Sequence, residues 1–303
     1  SLEAWGYRVG IYKDEFGKTT DWKEWSEEMQ EYCAKDTEVT LGLYMYFKKY
    51  IQEWGRESLS LEHSFAKIIQ KQIEFGFSFN EKEAVELYAT LAGRRSELEE
   101  EFKEVFPQVD KGDMFTPKVN NATKGYVKGV PIWRTKMVEF NPASRDHIAE
   151  RLKEKYDWTP EVYTDSGKPK VDEEVLSKLD YPEAKLLTEY LTINKRIGQL
   201  AEGEQAWLKT NNTKTGRIHG GVTTNGAVTG RCTHHNPNIA QVPAVGALYG
   251  EECRALFGPP KGYYQLGCDA SGLELRCLAH YMAKHDNGAY IDVILNGDIH
   301  TTN

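Results

Sequence analysis

Residues 263–280 read YYQLGCDASGLELRCLAH, an apolar, strand-like run that ends on Asp269 and is followed at once by a helical pattern. A carboxylate delivered at the carboxyl end of a strand suits Mg²⁺, which takes oxygen ligands and keeps room for water and phosphate. The same residue would also suit the cap of the helix that follows, and spacing leaves both readings open. Glu274 lies five positions on, in the first turns of that helix, with Arg276 beyond it. A second group is Thr229-Gly230-Arg231, followed by the Pro-rich run from His235 to Pro243 that contains Asn238 and Gln241. By residue type alone this is a glycine-turn hairpin with an exposed arginine. Tyr32 and Asp36 stand four apart, so on a helix they share a face. Asn194, Lys195 and Arg196 close a long helical pattern. There they could hold phosphate, which takes half or more of protein–DNA hydrogen bonds, or complement the helix dipole. The C-terminal Asn296-Gly297-Asp298-Ile299-His300-Thr301 ends on a histidine that by itself reads as structural.

The elements that must position these residues follow from periodicity. Glu24–Tyr50 carries apolar residues at three- and four-residue steps, and Leu61–Phe75 repeats the pattern. Gly76 stops the second helix, and Phe77–Phe79 is long enough for only a small strand. Asn80 with Glu83 three residues on marks the start of a long helix that runs through the charged stretch Arg94–Glu104. Pro107–Pro131, rich in Gly, Asn, Pro and Lys, reads as a loop or extended hairpin projecting from the helices. Asn141-Pro142 and Ser144 open another helix, a small hairpin follows around Val162–Val171, and Asp172 caps the next helix. Pro182–Leu200 is a long helix ending in the basic step. After Ala201 the texture changes, with strand character at Arg217–Val228 and Tyr263–Cys268 before helix returns at Leu273–Lys284. The fold class is α+β, a mostly helical half followed by a sheet-bearing half.

At 303 residues the chain is long enough for two or three cores. No run of about 18 apolar residues exists to span a membrane. The five cysteines form no CxxC pair and are odd in number, which points to reduced thiols of a cytosol and away from a disulfide frame or zinc site. A formal charge of -8 weighs against a nucleic-acid partner. Locally the balance reverses, because basic residues outnumber acidic ones between Tyr190 and Leu256. The first residue, Ser1, follows neither an initiator Met nor a leader pattern and reads as a cut or processed end.

Taken together, DxSxxELRxxAH from Asp269, the TGR at 229–231 with its Pro-Asn run, the terminal GDIH and the YxxxD of Tyr32 and Asp36 resemble family A DNA polymerases, the bacterial polymerase I family. Wording such as LEAWGYRVG, FNPASRDHI, NGAVTGR and DASGLELRCLAH is similar to the replicative polymerases of short-tailed, T-seven-like phages, over essentially the whole chain. The resemblance implies that Asp269 binds both catalytic Mg²⁺ ions, with the Ala270 carbonyl as a further ligand. Glu274 becomes the steric gate against a ribose 2′-hydroxyl, and His300 a contact to the incoming nucleotide's phosphates. Arg231, with Asn238 and Gln241, meets the minor-groove edge of the primer end. Minor-groove acceptors are nearly degenerate among base pairs, so an arginine there checks pairing geometry without reading sequence. Lys195 and Arg196 become thumb contacts to DNA, and Tyr32 and Asp36 the third motif of a proofreading exonuclease, with Asp36 a metal ligand. One departure is Cys232-Thr233-His234, where small hydroxyl residues are usual.

The implied organisation is the C-terminal part of an RNase H-like 3′–5′ exonuclease domain at 1–54, a helical thumb at 55–205, the first part of an antiparallel-sheet palm at 206–282, and the start of the fingers at 283–303. Primer-template DNA and deoxynucleoside triphosphates are the implied partners, in the cytoplasm of a phage host. The fingers helix and the second palm aspartate would come from missing N- and C-terminal polymerase parts, separated by an intein, a split gene or cloning. Thioredoxin is not expected as a partner, because Pro107–Val138 is much shorter than the insertion that binds it in the T-seven type. The competing reading is a non-catalytic remnant that grips primer-template.

Overall fold

Helices begin where the chain supplies a side-chain acceptor for the unpaired N–H groups of a first turn. Ser26 does so for helix α3 (Glu27–Trp54), Asn80 for α5 (Glu81–Val105), Ser144 for α6 (Arg145–Tyr156) and Asp172 for α7 (Glu173–Ser177), each accepting from the N–H three residues on. That backbone bond holds the Asp172 carboxyl below its ordinary range. Helix α8 (Pro182–Ile197) instead starts with proline in its first turn, where no N–H is needed, and continues into a π-helical turn at Gly198–Glu202. The computed structural model describes residues 1–13 and 15–297.

The first compact unit spans residues 1–257. It opens with α1 (Leu2–Val9) and α2 (Phe16–Thr19), both packed on α3, then α4 (Arg56–Phe75). Its core lies between α5 and α8. Leu91, Leu98 and Phe102 on α5 and Leu187, Tyr190, Ile193 and Ile197 on α8 are buried in one cluster with Ile148 and Leu152 of α6. The two long helices are also fastened across their solvent side. Arg94 binds the Glu189 carboxylate through two nitrogens, at 2.8 and 3.1 Å, and Arg95 binds Glu202 likewise at 2.9 and 2.7 Å.

Strand β1 (Phe77–Phe79) brings the chain from α4 to α5. The loop or extended hairpin expected at Pro107–Pro131 is a hairpin that runs on to Val138. In it β2 (Val109–Asp110) pairs with β5 (Met137–Val138), and β3 (Asp113–Phe115) with β4 (Ile132–Arg134), both antiparallel. After α8 come α9 (Trp207–Thr210), β6 (Asn211–Asn212), β7 (Arg217–Ile218), β8 (Gly221–Thr223), β9 (Thr233–His235), α10 (Gly250–Ala255) and β10 (Phe257–Gly258). Four of these strands form a sheet in the order β10-β1-β7-β6, with Ile218 opposite both Phe77 and Asn211. Strands β8 and β9 make a separate hairpin. The strand expected over Arg217–Val228 is therefore two short strands, broken at His219-Gly220. There the His219 ring bonds the Ile73 carbonyl, and a β-carbon on Gly220 would come 2.8 Å from the Pro237 oxygen.

The second unit begins at Gly258 and contains α11 (Leu273–Asp286) and α12 (Ala289–Asn296). Asn287 and Gly288 turn between them in the left-handed region, φ 55 and 84. Asp286 holds the turn by accepting from Gly288 N and Tyr290 N, and these bonds, Tyr290's first, lower its carboxyl. Tyr263–Cys268 corrects the sequence reading, for it forms no strand. Strand conformation is secured by a ladder partner, and here Tyr264 and Leu266 are 98% and 94% exposed with none among the described residues.

Candidate nucleic-acid interface and catalytic residues

In the second unit Asp269 precedes α11 without capping it. The cap position belongs to Gly272, whose φ of 58 favours a residue without a β-carbon, so the helix has no side-chain cap bond among the described residues. The cap reading of Asp269 is thereby excluded, and its exposed carboxylate takes part in no hydrogen bond or ion pair among the described residues. The Ala270 carbonyl accepts from Leu273 N at 3.3 Å, and Arg276 Nε donates to the Ser271 carbonyl at 2.8 Å, which shapes the turn. Glu274 sits exposed in the first turn of α11. Asp269 and the Ala270 carbonyl are hard oxygen donors of the kind Mg²⁺ takes, so they fit as part of its shell. No group of three or more His, Cys, Asp or Glu that could hold a metal occurs among the described residues, so the set is partial. His300 lies outside the described residues.

The first unit presents the loop residues. Arg231 is exposed beside Gly230 (φ 81) at the end of the β8–β9 hairpin turn, and its carbonyl accepts from Ala227 N at 3.0 Å. Asn225 in the same turn donates to Glu62 of α4 at 2.6 Å. Asn238 opens a 3₁₀ turn at Ile239–Gln241, and its Oδ1 is sealed from solvent with no hydrogen-bond partner. The Gln241 side chain is exposed. The structure separates the expected basic pair. Successive helix residues point about 100° apart, so Lys195 faces solvent while Arg196 turns inward and is 7% exposed. Arg196 Nε reaches the Leu248 carbonyl at 3.4 Å and its Nη1 the Gln199 side-chain oxygen at 3.1 Å. As a solvent-facing phosphate contact Arg196 is therefore corrected, since the side chain is buried with Nε and Nη1 engaged inside the protein. Gln199 and Arg254, whose Nε donates to the Pro243 carbonyl at 2.7 Å, hold the same loop. Sequence reading passed them over, although Gln199 stands three residues after Arg196.

Tyr32 and Asp36 do share one face of α3. Their company is unexpected, because Lys13 forms an ion pair with Asp36 and lies 4.3 Å from the centre of the Tyr32 ring. Burial pulls the Lys13 ammonium down, but hydrogen bonds to Asp36 and Tyr32 outweigh it and raise the group above its ordinary 10.5. Phe16 and Trp22 pack on Tyr32 with ring centres 5.7 Å away. No spacing signal in the sequence joins Lys13 to Asp36.

Residues 122–303 match the family model described as DNA polymerase family A, and the chain belongs to that family. It is 41% identical over 388 residues to the DNA-directed DNA polymerase of Escherichia phage T7, covering 100% of this chain and 55% of that protein. The corresponding polymerase of Enterobacteria phage T3 is 40% identical over the same shares. DNA polymerase I of Pseudomonas aeruginosa is 31% identical over 151 residues, 49% of this chain and 16% of its own length. The chain thus spans about half the length of the phage relatives it matches. Among solved structures, the POL domain of Pol1 from M. smegmatis, in complex with DNA primer-template and dNTP, superimposes with a TM-score of 0.67. That match has 16% identity and covers 99% of this chain and 45% of the other, so it shows likeness of fold.

Proposed function

We propose that this chain is part of a DNA-directed DNA polymerase that extends a primer 3′ end on a template, together with polymerase parts that lie outside it. The observation that carries the reading is similarity along the whole chain to phage proteins of that name. The reaction is in-line attack of the primer 3′-hydroxyl on the α-phosphate of a deoxynucleoside triphosphate, with pyrophosphate leaving. Asp269 and the Ala270 carbonyl would hold Mg²⁺, which supplies charge neutralisation at the transferring phosphate. Glu274 fills the space a ribose 2′-hydroxyl needs, and His300 contacts the triphosphate. Arg231, Asn238 and Gln241 meet the primer end, and Lys195 a phosphate.

In this reading residues 1–54 belong to an RNase H-like exonuclease domain, 55–205 to the thumb, 206–282 to the palm and 283–303 to the fingers. Asp36 then ligates an exonuclease metal only when its pair with Lys13 opens. The second palm carboxylate and the fingers cations come from the remaining polymerase parts, and the enzyme works in the host cytoplasm. No helix among the described residues is long and apolar enough to cross a membrane.

The decisive variant is Asp269→Asn in the polymerase assembled from this chain and its remaining parts. Nucleotide addition should be abolished while primer-template binding is retained, because removing one carboxylate lowers repulsion toward DNA. Extension at the unmodified rate would refute the assignment.

A further inference from the structure

The loop from Asn238 to Leu248 has no strand ladder to fix it, and three of its carbonyls are instead held by side-chain donors. Gln199 Nε2 donates to the Gln241 carbonyl at 3.2 Å, Arg254 Nε to the Pro243 carbonyl at 2.7 Å, and Arg196 Nε to the Leu248 carbonyl at 3.4 Å. The first and last of these are chemically coupled. Arg196 has donors only, so the Gln199 side chain must turn its oxygen toward Nη1, 3.1 Å away. That choice leaves the Gln199 amide nitrogen pointing outward, and the atom it meets is the Gln241 carbonyl. Arg196 thus decides which way Gln199 faces, and Gln199 decides where the Gln241 backbone sits. The guanidinium is buried at the end of α8, a helix whose apolar residues pack in the core with α5, so the arrangement starts from a rigid base.

We propose that Arg196 and Gln199 are positioning residues for primer-end recognition, fixing the Gln241 backbone so that the Asn238 and Gln241 side chains are held for the minor-groove edge. The proposal rests on the reading of this loop as a primer contact. Arg196 then contributes to DNA binding through the loop, without facing a phosphate.

Gln199→Glu isolates the relay. The carboxylate still accepts from Arg196 but cannot donate to the Gln241 carbonyl, so the helix end keeps its pair while the loop loses its bond. Arg196→Met removes the other half. Three quantities are measured on the 303-residue chain: the thermal unfolding midpoint, hydrogen exchange over residues 238–248, and the ratio of affinities for primer-templates with a matched and a mismatched 3′ end. Taking the ratio cancels the uniform effect of the added charge on DNA affinity. For Gln199→Glu we expect an unchanged midpoint, faster exchange in the loop and a matched-to-mismatched ratio lower by about two- to tenfold, the scale of one net hydrogen bond. Arg196→Met should show the same loop exchange and ratio. Unchanged exchange in both variants would overturn the relay. Faster exchange with an unchanged ratio would overturn the positioning role. If the unsubstituted chain binds both ends equally, the primer-end reading falls and the positioning role with it, whatever the exchange data show.

Discussion

A glycine at the cap position of α11 leaves Asp269 free of the duty that an aspartate before a helix usually performs. Glu274, in the first turn of that helix, is proposed to act by bulk. Its exclusion of a ribonucleotide would be a clash with one hydroxyl, and single-group discrimination in a pocket is worth about 10–200-fold. Glu274→Ala in the assembled polymerase should therefore lower the preference for deoxynucleotides by at least about tenfold while turnover changes less. An unaltered preference in competition assays would remove Glu274 from that role. The cysteines offer a second test at this scale. Burial pushes the Cys253 thiol up to about 11, whereas Cys33, Cys268 and Cys277 are exposed and Cys232 is half-buried. Because the thiolate is the reacting species, an alkylating reagent at pH 8 should label the three exposed cysteines first, and Cys253 only after unfolding. Mass spectrometry of native and denatured samples checks the order.

At the scale of elements, the α5–α8 pair is the frame on which the loops are mounted. Leu187 is fully buried in it, so Leu187→Ala should destabilise the chain by about 2–5 kcal/mol, read from urea midpoints. Glu183 adds a pH-sensitive tie between α6 and α8, binding Lys155 at 2.7 Å and the Tyr156 hydroxyl. Burial raises the Glu183 carboxyl, but those bonds outweigh it and leave the group below its ordinary 4.5. The hydrogen bond to Glu183 in turn pushes Tyr156 up to about 12. A depressed carboxyl favours the folded state fully above its unfolded value, and the benefit is lost as pH falls through the folded value. Stability should decline with acidification below pH 4.5, and Glu183→Gln should flatten that part of the profile. A profile identical to that of the unsubstituted chain would show that the tie contributes nothing.

For the whole molecule, net charge and local charge oppose each other. The chain carries -8 overall, while exposed Lys195 and Arg231 belong to the stretch where basic residues prevail. Binding of primer-template by the isolated chain should be weak and fall steeply with salt, with a slope of about 0.9 per neutralised phosphate. Lys195→Ala should reduce that slope by about one without changing the matched-to-mismatched ratio. The alignment with the T7 polymerase runs over 388 residues of that protein against 303 here, so the relative carries at least 85 positions that this chain lacks. In keeping with the short hairpin at 107–138, thioredoxin should not lengthen the products of the assembled polymerase on a long singly primed template. A large thioredoxin-dependent gain would overturn that expectation.

Local chemistry was legible in the amino-acid sequence. The Asn80 and Asp172 caps and the Ser144 start act within three residues of themselves, and the apolar period read over Glu24–Tyr50 is likewise a local pattern, the one that α3 carries. Family membership was legible for a related reason, since runs such as DASGLELRCLAH are contiguous. Contacts made across long stretches of chain were decided by the tertiary structure alone. Lys195 and Arg196 look alike in sequence, and the packing of α8 against the core turns one outward and the other in. Lys13 meets Asp36 because α1 lies on α3. Gln199 bonds a carbonyl 42 residues away, a partner that no periodicity can name. Tyr263–Cys268 has the residues of a strand and no strand, because ladder hydrogen bonds belong to a pair of segments.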